Sequence, residues 1–286
     1  MKAKPDCIVC LFKQALNAAR LATDDVETQV KILSEVAARF DRAGMVGSPA
    51  ALSQPVYEIV SELTGIADPY MSLKQETNRL ALDVLPGIKN AVNIAADPLD
   101  AALHAAVAGN VIDLGIGHRF DIEKDIAAML ERPFAVSVKE KFRAELGQGK
   151  QLLYLGDNAG EIVFDTLLVE RILATGTAVT FAVKSGPVIN DATMADAEMT
   201  GMRKLVPVIE TGAADIGIGW DNVSPEFMEA VQKADMILGK GHGNFETCNE
   251  RGENFYFLLM AKCAMVAAEL GVQVGDMVFC DTGGSR

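Results

Sequence analysis

From Gln151 onward the chain alternates short apolar runs with amphipathic stretches, and few folds accept that alternation. QLLYLG, AVTFAVK, KLVPVIETG and ADMILGKG are rich in Val, Ile, Leu and Phe, and EIVFDTLLVERILATG, NDATMADAEM and SPEFMEAVQKA separate them. Unbroken apolar runs suit strands buried on both faces, and strands spaced by helices imply βαβ units in a mainly parallel sheet. DMVFCD is expected to add a last strand, and ENFYFLLMAKCAMVAAELG (253–271) reads as one long, largely buried helix.

The first half follows a different pattern. VETQVKILSEVAARFDRAG (26–44) carries a helical apolar face through Val30, Leu33, Val36, Ala37 and Phe40. SPAALSQPVYEIVSELTG (48–65) has Ser48 as N-cap, Pro49 just inside and Gly65 as stop. A further helix is expected over LKQETNRLALDVLPG, and another over DPLDAALHAAVAGN, which closes at Gly109. The chain therefore divides into a mainly helical region, 1–135, and an α/β region, 136–286.

With 39 acidic against 26 basic residues the net charge is −13. That balance opposes nucleic acid and anionic membrane surfaces, because phosphate backbones need clustered Lys and Arg. It leaves room for a small phosphorylated ligand held by one local group of donors. The apolar stretch CIVCLF before Lys13 is too short for a signal-peptide core, and no segment approaches a membrane span. Five cysteines, an odd number, argue against a disulfide framework, so a reduced, cytoplasmic setting is expected.

In an open parallel sheet, ligands bind beyond the carboxyl ends of the strands. Here every such exit is polar. The first runs into Gly156-Asp157-Asn158-Ala159-Gly160, and the second into Lys184-Ser185-Gly186 and then Asn190-Asp191. The third ends at Glu210-Thr211-Gly212, and the fourth at Gly239-Lys240-Gly241-His242-Gly243-Asn244. Any one of these could be turn or cap chemistry. Together they bring carboxylates, amides and lysines to one edge, among glycines that let backbone N–H groups approach a ligand. Oxygen donors from Asp and Asn suit Mg²⁺ or Mn²⁺, while lysines and free N–H groups suit phosphate, the combination that phosphoryl chemistry requires. GKGHGN lacks the G-x-x-x-x-G-K-[ST] order of a P-loop and the spacing of a dinucleotide fingerprint.

Several separated segments, in order, resemble the DUF89 family of metal-dependent damage-control phosphatases: Cys7-x-x-Cys10, DPYMSLK (68–74), AGNVIDLG (108–115), GDNAGE (156–161), VKSGPVINDAT (183–193), GKGHGNFE (239–246) and AKCAMVAAELGV (261–272). The resemblance runs essentially end to end and is to the stand-alone subgroup with paired N-terminal cysteines. It implies a three-layer α/β/α domain with an N-terminal helical region, and hydrolysis of small phosphorylated metabolites such as sugar phosphates. It also implies a divalent metal (Mg²⁺, Mn²⁺, Co²⁺ or Ni²⁺) held by Asp157, Asn158 and Asp191. Lys184 falls on the family's lysine after the second strand, and the glycine-rich segment brings Lys240, Gly241 and Asn244 toward substrate. Asn110 and Asp113, after the Gly109 stop, are candidates to reach the site from the helical half, with capping as the plainer role.

The expected chemistry is in-line attack on phosphorus by a water that the metal activates, with Lys184 neutralising phosphoryl oxygens. An aspartyl-phosphate at Asp157 is the other route, and absence of a DxDx[TV] segment favours direct hydrolysis. A non-catalytic binder of a phosphorylated metabolite is the main alternative; Asp157, Asn158 and Asp191 count against it, since holding phosphate calls for cations rather than extra carboxylates. A redox module built on Cys7 and Cys10 and a methyltransferase are weaker readings, the latter for want of a suitable glycine-rich turn after the first strand. Cys7 and Cys10 share one helical face; packing or metal binding, with Cys263 or Cys248 joining by folding, are the two roles open to them. His104 and Trp220 read as packing residues, and His118 and His242 carry no assigned role.

Overall fold

Capping chemistry sets most of the helix boundaries. The computed structural model describes residues 1–43, 47–109 and 130–282. Five helices come first: α1 (Pro5–Ala22), α2 (Val26–Ala43), α3 (Pro49–Thr64), α4 (Met71–Ile94) and α5 (Pro98–Ala108). Ser48 Oγ accepts from Ala51 N at 3.1 Å to open α3, and Asp97 Oδ1 accepts from Asp100 N at 3.1 Å to open α5. Helix α4 runs on past Pro86, where the sequence suggests a stop. The missing N–H of Pro86 is outweighed because Ala81, Ile88 and Val92 form one buried stripe along the helix.

The second half supplies β1 (Val136–Ser137), α6 (Lys139–Glu145), β2 (Gln151–Leu155), α7 (Glu161–Leu173), β3 (Ala178–Val183), α8 (Met194–Met199), α9 (Met202–Leu205) and β4 (Val208–Glu210). It continues with α10 (Pro225–Lys233), β5 (Met236–Lys240), α11 (Gly241–Cys248), β6 (Phe255–Met260), α12 (Ala264–Leu270) and β7 (Met277–Asp281). The strands form one seven-stranded sheet in the order β1-β7-β6-β5-β2-β3-β4. Strands β2 to β6 are mutually parallel, and β7 is antiparallel to β6.

Two sequence expectations change here. Residues 253–271 are not one helix: FYFLLM is strand β6, buried along its whole length, and only Ala264–Leu270 is helical. An apolar run bounded by polar residues fits a doubly covered strand as well as a buried helix, and periodicity cannot separate the two. The glycine-rich segment after β5 is likewise no loop. Gly241 starts helix α11 directly.

Alternate strand residues enter opposite cores, as a three-layer arrangement demands. Leu152, Tyr154, Phe181, Leu238, Tyr256 and Leu258 face α4, α5 and α7; Leu153, Leu155, Ala182, Ile237, Phe255 and Phe257 face α10, α11 and α12. A third apolar cluster joins α1, α2 and α3 through Leu11, Ala15, Ile32, Val36, Val56 and Val60. By packing, then, the helical half splits: α1–α3 share a core of their own, while α4 and α5 belong to one layer over the sheet. Helix α5 is buried from Ala101 to Ala108, its small side chains admitting close contact with α7. No helix among the described residues is long and apolar enough to cross a membrane.

Candidate active site

Strand β2 has β3 on one side and β5 on the other, so the connection leaving β2 and the chain leaving β5 diverge at their carboxyl ends. That divergence is the topological switch point at which parallel sheets bind ligands. Asp157 and Asn158 follow β2 there. The chain leaving β3 returns to the same point and is zipped to them by backbone: Ala192 N donates to Asp157 O at 2.7 Å, Ala159 N to Asn190 O at 2.8 Å and Lys184 N to Ala192 O at 3.0 Å. Asp191 is thereby paired in register with Asn158. Just before it, Ile189 has φ +44°, a region that β-branched residues seldom enter. Its side chain packs against the α1–α3 core, which offsets the local strain.

Gly241, at the start of α11, has φ +74°, and a Cβ there would collide with Asp157 Oδ2. The glycine thus serves the close approach of α11's first turn to the carboxylate, and the left-handed φ removes most alternatives. On the other side, α4 reaches the loop through Asn78. This fully buried side chain accepts from Gly160 N at 2.6 Å and donates Nδ2 to Asp196 Oδ1 at 2.8 Å. Asp196 Oδ2 in turn accepts from Thr193 N and Thr193 Oγ1 at 2.8 Å each, closing the start of α8.

Asp157, Asn158 and Asp191 face one cavity of about 530 Å³, whose walls include Cys7, Cys10, Ser53, Ile189, Ile216, His242, Glu246, Lys262, Cys263 and Met265. Burial, with Glu161 and Asp191 beside it, raises the Asp157 carboxyl well above the ordinary range. Burial lifts Asp191 to about 6, against the opposing pull of Lys184. Two carboxylates drawn together inside a protein are a site that gains from a cation. The donors fit one. Asn158 Nδ2 is occupied by Glu161 Oε1 at 2.7 Å and Asp157 Oδ2 at 3.0 Å, while Asn158 Oδ1 accepts no hydrogen bond among the described residues. Glu161 therefore fixes which end of the amide is available as an oxygen ligand, the outer-shell arrangement common around metals.

The lysines sort by what holds them. Lys184 is 3 % exposed, donates to Gly217 O and lies 3.8 Å from Asp191 Oδ2, behind that carboxylate rather than on the cavity wall. Lys74, a buried partner of Asp68 at 2.7 Å, acts on Asp191 through its charge. Lys240 requires a correction. The sequence suggests an ammonium held out to substrate; in the fold it is fully buried, donating to Ala106 O at 2.7 Å and Asp165 Oδ1 at 2.8 Å, with Glu161 at 3.5 Å. Position 240 is the last of a central strand, so its side chain enters the layer between sheet and α7. Burial works against its charge, yet Asp165 and Glu161 keep its pKa above the ordinary lysine value.

Asn244 is also placed behind the site, its Nδ2 donating to Gly156 O at 3.1 Å and Lys240 O at 2.8 Å, which ties the β2 exit to the β5 exit. Asn110, Asp113 and His118 lie outside the described residues. His104 is a core residue, with Nδ1 2.8 Å from Asp100 O and Nε2 2.9 Å from Arg132 O. Trp220 packs under Arg251 and donates to Thr247 O. Sequence reading missed Glu161, Asn78 and Lys262. The first was visible as the acid that ends GDNAGE and the third lies within AKCAMVAAELGV, whereas Asn78 sits on a helix whose contact with the loop only folding creates.

A sequence profile for the damage-control phosphatase ARMT1-like domain matches residues 3–278. The chain is 34 % identical over 282 residues to damage-control phosphatase PH1575 of Pyrococcus horikoshii, covering 97 % of each. It is 36 % identical to a damage-control phosphatase of Archaeoglobus fulgidus, covering 97 % of this chain and 98 % of that one. The crystal structure of a DUF89 family protein from P. horikoshii superposes with a TM-score of 0.93 at 33 % identity, over 99 % of both chains.

Proposed function

Because the chain belongs to the damage-control phosphatase ARMT1-like (DUF89) family, we propose that it is a metal-dependent phosphomonoester hydrolase acting on small phosphorylated metabolites. The observation that carries this reading is the convergence of two carboxylates and one oriented amide on a single cavity at the switch point of the sheet. A divalent ion on Asp157, Asn158 and Asp191 would offset charge on the phosphoryl oxygens and make water a better nucleophile near neutral pH. Hard oxygen donors favour Mg²⁺ or Mn²⁺, with Co²⁺ and Ni²⁺ as further candidates.

The protein's own groups do the positioning. Glu161 holds the amide of Asn158; Lys240, itself paired with Asp165, faces Glu161 from the core; and Gly241 lets α11 close on Asp157. Lys184 favours the ionised form of Asp191, the form that can bind a cation. Direct hydrolysis by water and transient phosphorylation of Asp157 both suit this arrangement, and the missing DxDx[TV] segment favours the first.

The cavity size suits a sugar phosphate or related small phosphoester. Its wall narrows the choice, because several polar side chains there are already engaged within the protein. Gln14 Oε1 accepts from Tyr57 Oη at 3.1 Å, Ser53 Oγ donates to Pro49 O at 3.1 Å and Glu246 Oε2 accepts from Ala50 N at 3.0 Å. Ile189, Ile216 and Met265 supply apolar surface beside them.

A screen of phosphate release from sugar phosphates, nucleotides and phosphopantetheine compounds, with Mg²⁺, Mn²⁺, Co²⁺ or Ni²⁺ and an EDTA control, tests this reading. Turnover is expected only with added metal. Equal rates in EDTA would remove the metal from the mechanism.

A further inference from the structure

We infer that a second cavity, between α3, the turn before α4 and the loop after β3, is a binding site for a small organic ammonium ion. The inference stands apart from the phosphatase reading, since its ligand is opposite in charge to a phosphoester. The cavity holds about 240 Å³, and its walls include Tyr57 and Ser61 on α3, Asp68 and Tyr70 in the turn, and Val188 and Ile189 in the loop. Ile189 also belongs to the wall of the catalytic cavity, so the two lie back to back. Drug-sized ligands occupy roughly 300–1,000 Å³, and this site is cut for something smaller.

Three features of the wall point to a cation that carries N–H groups. The first is charge. Among the described residues the charged side chains of this wall are Glu58 and Asp68, with no Lys, Arg or His beside them. Asp68 is satisfied from behind, its Oδ2 paired with Lys74 at 2.7 Å and its Oδ1 accepting from Tyr70 N at 3.0 Å. Glu58 gives Oε2 to Arg39 at 3.1 Å and keeps Oε1 for a ligand. An anion would find no counter-charge in such a wall, whereas a cation finds one. The second feature is the pair of rings: Tyr57 and Tyr70 stand edge to face, with centroids 6.4 Å apart at 61°. Tyrosine ring faces attract ammonium groups. The third is the Tyr70 hydroxyl. Tyr70 is only 8 % exposed, yet its Oη makes no hydrogen bond with any described residue. The Tyr57 hydroxyl, by contrast, is taken up by Gln14 Oε1 at 3.1 Å. Buried polar groups are ordinarily paired, so an open hydroxyl in the wall of a cavity calls for a donor from a ligand. Water answers the hydroxyl alone. An ammonium on an apolar body answers the hydroxyl, the carboxylate, the rings and the surface of Val188 and Ile189 together.

The test titrates benzylammonium into the wild-type protein at neutral pH and follows binding by NMR, with benzyl alcohol and benzoate as neutral and anionic controls of similar shape. Benzylammonium should bind about tenfold or more tightly than benzyl alcohol, and benzoate should not bind. Tyr70→Phe removes the hydroxyl alone and should weaken benzylammonium binding about tenfold. Ser61→Trp fills the cavity from α3 at a position that does not line the catalytic cavity. It should abolish the binding while Mn²⁺ affinity stays at the wild-type value. Glu58→Gln, a change on the exposed side of α3, should weaken binding about tenfold and keeps the inference testable if Ser61→Trp does not fold. Benzylammonium binding that survives in folded Ser61→Trp would place the amine on Asp157 and Asp191 instead and overturn the inference. Equal affinity for benzyl alcohol overturns it too, as does wild-type affinity in Tyr70→Phe or a wild-type protein that binds no benzylammonium.

Discussion

At the scale of single residues, the oxygen atoms of Asp157, Asn158 and Asp191 are positioned by neighbouring groups. Asp157 meets Gly241, Asn158 is turned by Glu161, and Asp191 is set by four backbone hydrogen bonds at Asn190–Ala192. Removing one anionic oxygen while keeping shape should therefore injure metal binding more than folding. Asp157→Asn and Asp191→Asn are each expected to lose most turnover and to bind Mn²⁺ more weakly, with circular dichroism and melting temperature close to wild type. Both carboxylates are enclosed and close to like charges, so neutralising one also removes repulsion from the folded state. An unfolded Asp157→Asn protein would make that residue a structural one instead.

At the scale of elements, α4 is the clamp that joins the two loops of the site. Asn78 binds Gly160 at the start of α7 and Asp196 at the start of α8, and Thr77 packs on Gly160, where a Cβ would strike its methyl group. Asn78→Ala leaves one buried N–H and one buried carboxylate oxygen without these partners, at about 1–3 kcal/mol for each group left unpaired. The variant should unfold at lower urea concentration and also bind Mn²⁺ more weakly, since the Asp157 and Asp191 loops lose their common brace. Reduced stability with unchanged Mn²⁺ affinity would confine α4 to packing. Helix α1 has a different relation to the site. Cys7 and Cys10 lie on its first two turns at the cavity mouth, with Cys263 on another part of the wall, and all three are free thiols. Among the described residues no three His, Cys, Asp or Glu side chains are grouped closely enough to hold an ion together.

At the scale of the whole molecule, the α1–α3 bundle is attached to the sheet through a small number of polar contacts beside the cavity. Gln54 Nε2 donates to Ala214 O at 2.8 Å and its Oε1 accepts from Ile216 N at 3.2 Å; Glu246, on α11, accepts from Ala50 N in the first turn of α3. Burial pushes the Glu246 carboxyl up from 4.5 to about 7, the Ala50 N–H acting against that shift. The folded protein thus keeps this proton over a range in which the unfolded chain has released it. The associated stability is fully present below about pH 4.5 and is lost as pH rises through about 7. Glu246→Gln keeps the acceptor for Ala50 and cannot ionise. Its unfolding free energy should therefore exceed that of wild type at about pH 8 by about 1–3 kcal/mol more than it does at about pH 5. Parallel urea titrations at the two pH values give that difference directly, and an unchanged difference would mean that Glu246 titrates as a solvated acid.

The kind of fold and the polar character of the strand exits were legible in the sequence. Short apolar runs spaced by amphipathic stretches admit little besides a parallel sheet covered on both faces, and Asp157, Asn158 and Asp191 sit at strand exits because polar side chains are tolerated where buried strands end. Cap residues such as Ser48, Asp97 and Ser224 are equally local signals, each acting within three residues of itself. Tertiary structure decided what each polar group faces. Lys240 and Lys262 look alike in sequence, each beside a glycine or cysteine just beyond an apolar run, yet one is locked between the sheet and α7 and the other lines the cavity. A strand residue's direction depends on register and on which layer covers it, and neither is written in its neighbours. The same holds for Asn78 and Gly160, separated by 82 residues and joined by one hydrogen bond. Long-range contacts of that kind exist only once the layers have packed.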